Sequence, residues 1–307
     1  STYLNFLKLI KFLQEYKPDI VHTFFPAGNI AGVLAARLAG VKNIISSRRD
    51  YGEWMNGHYL FATRFANRFV KKIIANSNQV RELTEKKENA NSGKVDVIYN
   101  GIDISKFKNI KRDNSLKKKL NIPDNNKVVG IVANFRPMKH HYTFIKAANE
   151  ILQLRNDVSF LLIGAGPRKT ETERLAHSLN IGEKITFVGP QNNAEVISYL
   201  SIMDIGVNCS EGEGLSNAIM EYMTAGVPCV VSNAGGNPDL ITHNINGYTF
   251  ELDDYKTLAS LILKLLDDEE ARRRFIKNAR EKIEREMSLE TMLANYEALY
   301  EKMARES

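Results

Sequence analysis

Two glutamates eight positions apart, Glu213 and Glu221, bracket the segment with the most chemical promise. Gly212 and Gly214 beside the first of them let backbone approach a ligand closely. The pattern predicts a strand over 205–208 and a helix opening near Ser216. At that opening the N–H groups of Leu215, Ser216 and Asn217 point outward and form a ready anion site. From Leu215 to Glu221 the helix rises roughly 9 Å, at about 1.5 Å per step, near the span of a diphosphate with a sugar at either end. One carboxylate would grip hydroxyls of one sugar and the other those of the second, since carboxylates accept well from vicinal hydroxyls. The plainer alternative is a helix with an acidic residue at its positive end. The glycines, the strand before and Gly226, Val227 and Pro228 after favour the ligand site.

Other chemistries fit less well. There is no Asp-x-Asp, only the adjacent pairs Asp253–Asp254 and Asp267–Asp268. Six histidines are scattered and none makes a His-x-x-x-His pair, so no metal site is expected. Cys209 and Cys229, at strand ends, read as buried thiols, and two cysteines make no disulfide framework. Neither a Gly-x-Ser-x-Gly elbow nor a phosphate-binding Walker loop occurs, and Gly164-Ala165-Gly166-Pro167 is not a dinucleotide fingerprint.

The elements that must position these residues alternate. Strands are predicted over 19–22, 43–46, 72–75 and 95–99, with helices near 3–15, 30–38, 59–69 and 78–87. Residues 106–126 break the rhythm, and 101–112 reads as a hinge. A second series then begins, with strands over 128–133, 159–163, 185–188, 205–208, 228–232 and 247–250, ending in helices over 255–266, 270–285 and 289–305. Such alternation means βαβ units and parallel sheets, whose ligands lie beyond the carboxyl ends of the strands. The expected division is 1–105, 106–286 and a final helix over 287–307 crossing back to the first domain. His22 stands at the end of the first strand, near an acceptor or as a structural residue, and Arg48 and Arg49 follow the second, where they suit phosphate, an acidic acceptor or a plain surface pair. The loop 50–59, with the single Trp, suits an acceptor-binding loop or, rather better, a packing loop.

Of 307 residues, 43% are apolar and 25% charged, an ordinary globular balance that excludes wholesale disorder. No apolar run reaches the roughly eighteen residues of a membrane-spanning helix. Charge is uneven. Residues 1–110 hold 17 Lys and Arg against 9 Asp and Glu, or +8, and the rest hold 25 against 27, or −2. A basic first third suits an anionic partner, whether lipid headgroups, a phosphorylated acceptor or nucleic acid, or is simply a solvated basic face.

The segment from Glu213 to Glu221 resembles the glutamate–seven residues–glutamate signature of glycosyltransferase family four, retaining enzymes of the GT-B fold. Other pieces fall in the family's order. Residues 132–139 resemble the loop after the first strand of the nucleotide domain, 162–167 its Gly-x-Gly-Pro turn, and 187–189 its base-binding turn. Residues 235–239 resemble its Gly-Gly-x-x-Glu turn with Asp for Glu, and 98–103 its inter-domain hinge. Many family members have His where this chain has Ser47 to Asp50, and Arg where it has Asn134. The family begins with a strand and Gly-rich loop that precede anything here, so the first domain reads as N-terminally truncated.

The resemblance implies an α/β GT-B architecture of two Rossmann-like, doubly wound domains facing a cleft. It implies that Glu213 meets the donor sugar and Glu221 the ribose. Arg136 and Lys139 would clamp the diphosphate, where fixed cations stabilise the charge gained by the leaving group. Gly164, Gly214, Leu215, Ser216 and Asn217 would join the donor site, with Val188, Gly189 and Gln191 against the base. The implied activity is retaining, metal-independent transfer from a UDP- or GDP-sugar to a sugar or lipid-linked acceptor hydroxyl. No cofactor or nucleic acid takes part, and the location is cytoplasmic, peripheral on the membrane. Domain closure would exclude water. The alternatives are a nucleotide-sugar 2-epimerase of the same fold and a non-catalytic nucleotide-sugar-binding fragment.

Overall fold

The computed structural model describes residues 2–52 and 56–306. The chain divides into two compact units, Ser1–Gly101 with Leu289–Ser307, and Ile102–Ser288.

In the first unit, β1 (Ile20–Thr23), β2 (Asn43–Arg48), β3 (Lys72–Ala75) and β4 (Val95–Val97) form a parallel sheet in the order β1-β2-β3-β4. Alternate residues of a strand face opposite sides, and the two sides are covered differently. Ile44 and Ile73 pack with Leu13, Val33 and Ala36 from the helices Thr2–Tyr16 and Pro26–Leu38. Ile45 and Ile74 pack on the other side with Ile98 and Met303, the latter from the helix Leu289–Arg305.

The second unit holds β5 (Lys127–Val132), β6 (Val158–Ile163), β7 (Ile185–Gly189), β8 (Ile205–Asn208), β9 (Cys229–Ser232) and β10 (Tyr248–Phe250). They pair in parallel in the order β10-β9-β8-β5-β6-β7. The strands are near-continuous apolar runs, as a sheet buried on both faces requires, and Val129, Phe160, Val207 and Val230 are fully buried. Because β5 lies between β6 and β8, strand order reverses there, and the loops after β5 and β8 diverge from one crevice. The helix Asn217–Ala225 is seated on β8 through Gly206, where an added Cβ would meet the Tyr222 ring at 2.7 Å. The Tyr222 hydroxyl in turn accepts from the Val132 N–H at 2.7 Å.

Two local expectations need correction. The strand expected over 43–46 runs on to Arg48, because Ser47 and Arg48 pair with Ile74 and Ala75 of β3. The irregular stretch over 106–126 contains a short helix, Asn114–Lys119, whose first amides donate to the Asp113 side chain. The loop with the single Trp falls partly on residues 53–55, outside the described residues.

Candidate active site

The crevice between β5 and β8 brings together residues that are far apart in sequence. After β5 the chain makes a short turn, Pro137–Lys139, that delivers Lys139. After β8 it runs through Ser210 and Gly212 to Glu213 before the helix Asn217–Ala225 begins. The Glu211 N–H donates to the Met138 carbonyl at 2.9 Å and joins the two loops. Lys139 Nζ lies 2.5 Å from Glu213 Oε1, both side chains 16% exposed. Ser210 Oγ donates to the same oxygen at 2.6 Å and Asn208 Nδ2 at 3.2 Å. Burial raises the Glu213 carboxyl, but the Lys139 charge and hydrogen bond, with those from Ser210 and Asn208, outweigh it and hold the group below the usual carboxylate range.

Glu221 is the opposite case. It is half-buried on the same helix, with no hydrogen bond or ion pair among the described residues. Burial alone pushes its carboxyl up to about 7. Between the two glutamates the helix start is open. Ser216, the residue before the helix, makes no capping bond with its side chain, which instead accepts from Asn208 at 3.1 Å. The amides of Leu215, Ser216 and Asn217 have no acceptor among the described residues. Leu215 and Ser216 are buried and Asn217 is exposed. A desolvated carboxylate without a partner and three unanswered N–H groups leave the site with donors and an acceptor to offer.

The neighbouring loops are fastened to this crevice by glycines. The Gly164 N–H donates to the Gly189 carbonyl at 2.9 Å. A Cβ on Gly164 would lie 2.0 Å from the Ala133 carbonyl oxygen, at a φ of +149° that L-residues rarely adopt. Gly164→Ala should therefore cost roughly 1–3 kcal/mol in backbone strain before the clash is counted. A urea melt as stable as the wild type would contradict this. Gly235, with φ +56°, lies against the Glu213 backbone, and the Gly236 N–H donates to the Glu213 carbonyl at 2.8 Å. Val188 and Gln191 are half-buried beside Gly189, which has open space where a Cβ would stand.

Sequence reasoning missed the polar scaffold beneath Glu213. Asn208, Ser210, Ser232 and Asn237 are all buried. Ser232 Oγ donates to the Ser210 carbonyl at 2.6 Å, Asn237 Nδ2 to Ser232 Oγ at 3.1 Å, and the Ser210 N–H to Asn208 Oδ1 at 2.9 Å. The signal was Asn208 and Ser232 closing two otherwise apolar strands. His140 and Asp253 were also missed. Asp253 Oδ1 accepts from His140 Nδ1 at 2.7 Å, from Thr143 at 2.9 Å and from Tyr142. Asp253 lies in a turn and Asp254 caps the helix Tyr255–Asp267, so neither sits inside a helix.

Arg136 is exposed, makes no ion pair among the described residues, and lines a cavity of about 180 Å³ with Arg168 and His141. It stands immediately before the turn Pro137–Lys139 that carries Lys139. In the first unit the structure corrects one of the three acceptor-side residues, Arg48. Arg48 is 5% exposed. Its Nε and Nη2 meet the two Glu88 oxygens at 2.8 Å each, and Asn67 and Ser46 take further bonds. A guanidinium spent in this way holds no acceptor. Arg48→Ala strands a buried carboxylate and should cost roughly 3–5 kcal/mol; a thermal melt within a degree of wild type would contradict it. His22 contacts Tyr300 through Nδ1 and Ser47 through Nε2, each at 2.8 Å, so both ring nitrogens are used internally. Burial, helped by the Arg49 charge, lowers it to about 4, so it is a neutral strut near neutral pH. Only Arg49 stays exposed, donating to Asn100 at 2.8 Å.

The family model for glycosyl transferases group 1 matches residues 112–282, and the model for glycosyltransferase family 4 matches residues 1–106. The chain belongs to the glycosyl transferases group 1. Both units show the two parallel-sheet α/β domains of the GT-B fold. This group 1 glycosyltransferase is 28% identical over 274 residues to the Escherichia coli UDP-Gal:alpha-D-GlcNAc-diphosphoundecaprenol alpha-1,3-galactosyltransferase, covering 86% of this chain and 70% of that one. It is 31% identical over 224 residues to the Bacillus anthracis N-acetyl-alpha-D-glucosaminyl L-malate synthase, covering 73% of this chain and 56% of that one. Its fold matches the Anabaena protein HepE, solved in complex with UDP, at a TM-score of 0.88 and 22% identity, covering 97% of this chain and 82% of that one. Among the described residues no helix is long and apolar enough to cross a membrane.

Proposed function

We propose that this group 1 glycosyltransferase moves a sugar, with retention at the anomeric carbon, from a nucleoside diphosphate sugar to a hydroxyl of a sugar or lipid-linked acceptor in cell-envelope glycan or glycolipid synthesis. The observation that carries the reading is the pairing of opposites on either side of one helix start. Glu213, in the loop before the helix, is neutralised by Lys139, and the desolvated Glu221 stands unpaired within the helix. The diphosphate lies over the open amides of Leu215, Ser216 and Asn217, with Glu221 accepting from the ribose hydroxyls and Glu213 from the donor sugar. The base rests by Val188, Gly189 and Gln191. As the glycosidic bond breaks, electron density moves to the leaving phosphate oxygen. Lys139 and the helix N-terminus stabilise that charge in place of a metal ion, and Arg136 adds a second cation from the loop edge. The acceptor hydroxyl attacks on the face the diphosphate leaves, passing its proton to the departing phosphate. No protein nucleophile or cofactor is needed.

Named relatives support the substrate classes. The Escherichia coli relative is a UDP-Gal enzyme acting on a diphosphoundecaprenol, a lipid-linked acceptor. A Mycolicibacterium smegmatis relative, 24% identical over 255 residues, is a GDP-mannose-dependent alpha-mannosyltransferase. A thermal-shift panel of UDP- and GDP-sugars tests the reading, because a ligand that binds only the folded state stabilises it in proportion to its affinity. One base should raise the melting temperature at millimolar ligand, and Glu221→Ala should abolish the rise. A flat response to every nucleotide would overturn the proposal.

A further inference from the structure

Two residues of the second unit hold backbone conformations that glycine takes more readily. His140, with φ +46°, follows Lys139, and Asp253, with φ +65°, lies in the turn after β10. Such a conformation costs a non-glycine residue free energy and persists where its surroundings enforce it. Here the two side chains meet each other across 113 positions, with His140 Nδ1 donating to Asp253 Oδ1 at 2.7 Å. The same oxygen accepts from Thr143 at 2.9 Å and from Tyr142, both in the first turn of the helix His141–Leu154. Burial raises the Asp253 carboxyl, but the bonds from Tyr142, His140 and Thr143 outweigh it and hold the group below the usual carboxylate range. On the other edge of the ring, His140 Nε2 lies 3.3 Å from Glu211 Oε2. The His140 side chain is 11% exposed between its two partners.

In the order β10-β9-β8-β5 the loop after β10 is three strands from the loop after β5. The bridge therefore ties the edge of the sheet to the crevice. Lys139 stands between two fastened neighbours. Met138 is held through its carbonyl by the Glu211 N–H, and His140 is held through its ring by Asp253. We infer that His140 and Asp253 form a brace that fixes Lys139 against Glu213, which makes both of them positioning residues for transfer. A plain exposed ion pair is worth little, and it leaves unexplained why a left-handed backbone is kept at both of its ends. The inference deepens the proposed function and rests on Lys139 being the cation that meets the leaving phosphate. Reactivity of the Lys139 amine needs no donor, so it reports on the brace separately from the donor assignment.

The full chain and its variants are acylated with acetic anhydride, and the rate at Lys139 is read by peptide mass spectrometry against Lys277, whose side chain is 75% exposed. His140→Gly and Asp253→Gly leave the backbone free to keep its left-handed turns, so melting temperatures should stay within about 4 °C of the wild type. Lys139 should acylate about tenfold faster in each, the change in a local opening equilibrium when one hydrogen bond to a charged group is lost. Turnover should fall roughly 10–100-fold while the donor KM moves less than about threefold, as for a contact made only in the transition state. Asp253→Asn keeps an acceptor oxygen for His140 and Thr143 and should stay within about threefold of the wild type in both readouts. Asn180→Gly, at a left-handed residue elsewhere in the second unit, should change neither. Wild-type acylation of Lys139 in both glycine variants would overturn the inference. So would faster acylation with undiminished turnover, or an equal rise in Asn180→Gly. A wild type that binds no nucleotide sugar would strike the donor assignment alone, with the acylation ratios still deciding the brace.

Discussion

Replacing Lys139 with Met should lower transfer by roughly 10²–10³-fold with a smaller loss of nucleotide affinity. In the proposed reaction the lysine meets charge that develops as the sugar–phosphate bond breaks, and removing one such group from a preorganised site has about that effect. The variant should also be less stable. Its Glu213 loses the cation 2.5 Å away while staying largely buried. The donors Ser210 and Asn208 remain, so the cost falls at the low end of the roughly 3–5 kcal/mol for breaking a buried pair. The double variant Lys139→Met/Glu213→Gln separates the two effects. It should regain most of the stability and none of the transfer. Steady-state kinetics beside urea melts read both quantities. Transfer restored together with stability would make Lys139 a purely structural cation.

Replacing Glu221 with Gln should stabilise the ligand-free protein at alkaline pH while weakening nucleotide binding. In the folded chain burial holds this carboxyl near 7, well above its ordinary value of about 4.5. The folded state therefore binds more protons than the unfolded one between these values. Its contribution is fully favourable below about 4.5 and is lost as pH rises through about 7. The difference corresponds to at most about 3 kcal/mol at pH 8, because each unit is about 1.36 kcal/mol. Glutamine carries no charge to desolvate and should recover much of that amount. Nucleotide binding should depend on pH in the wild type, weakening below about 7 as the acceptor oxygens take up a proton, and should be flat in Glu221→Gln. Calorimetric titration with UDP or GDP across pH 5.5 to 8.5 reads the profile. Parallel profiles for the two proteins would remove Glu221 from the ribose.

Both predictions rest on residues that were legible as a motif but not as a pair. Spacing alone put Glu213 before a helix and Glu221 within it, and the strand ahead of them runs over Ile205–Asn208. The sheets were readable because their strands are short apolar runs bounded by turn residues. Strand order was not. No local pattern says that β5 lies between β6 and β8, and only that order brings Lys139 to Glu213. The same limit explains the error in the first unit. Arg48 follows an apolar run and looks free. The residue that neutralises it, Glu88, is 40 positions on, at the end of a helix whose own pattern gives no hint of it. His22 finds Tyr300 at a separation of 278 residues. Periodicity reports which face of an element is buried. It does not report which distant side chain completes a polar group.

The helix Leu289–Arg305 closes one face of the first sheet, although it follows the whole second unit in the chain. During translation residues 1–101 leave the ribosome with Ile45 and Ile74 bare on that side. Residues 102–288 can meanwhile fold around their own core, since domains generally fold as units. The first sheet thus receives Met303 only after the second unit has been made. A nascent chain stalled just before Leu289 would hold the second unit entire and a first sheet still open to chaperones on that side.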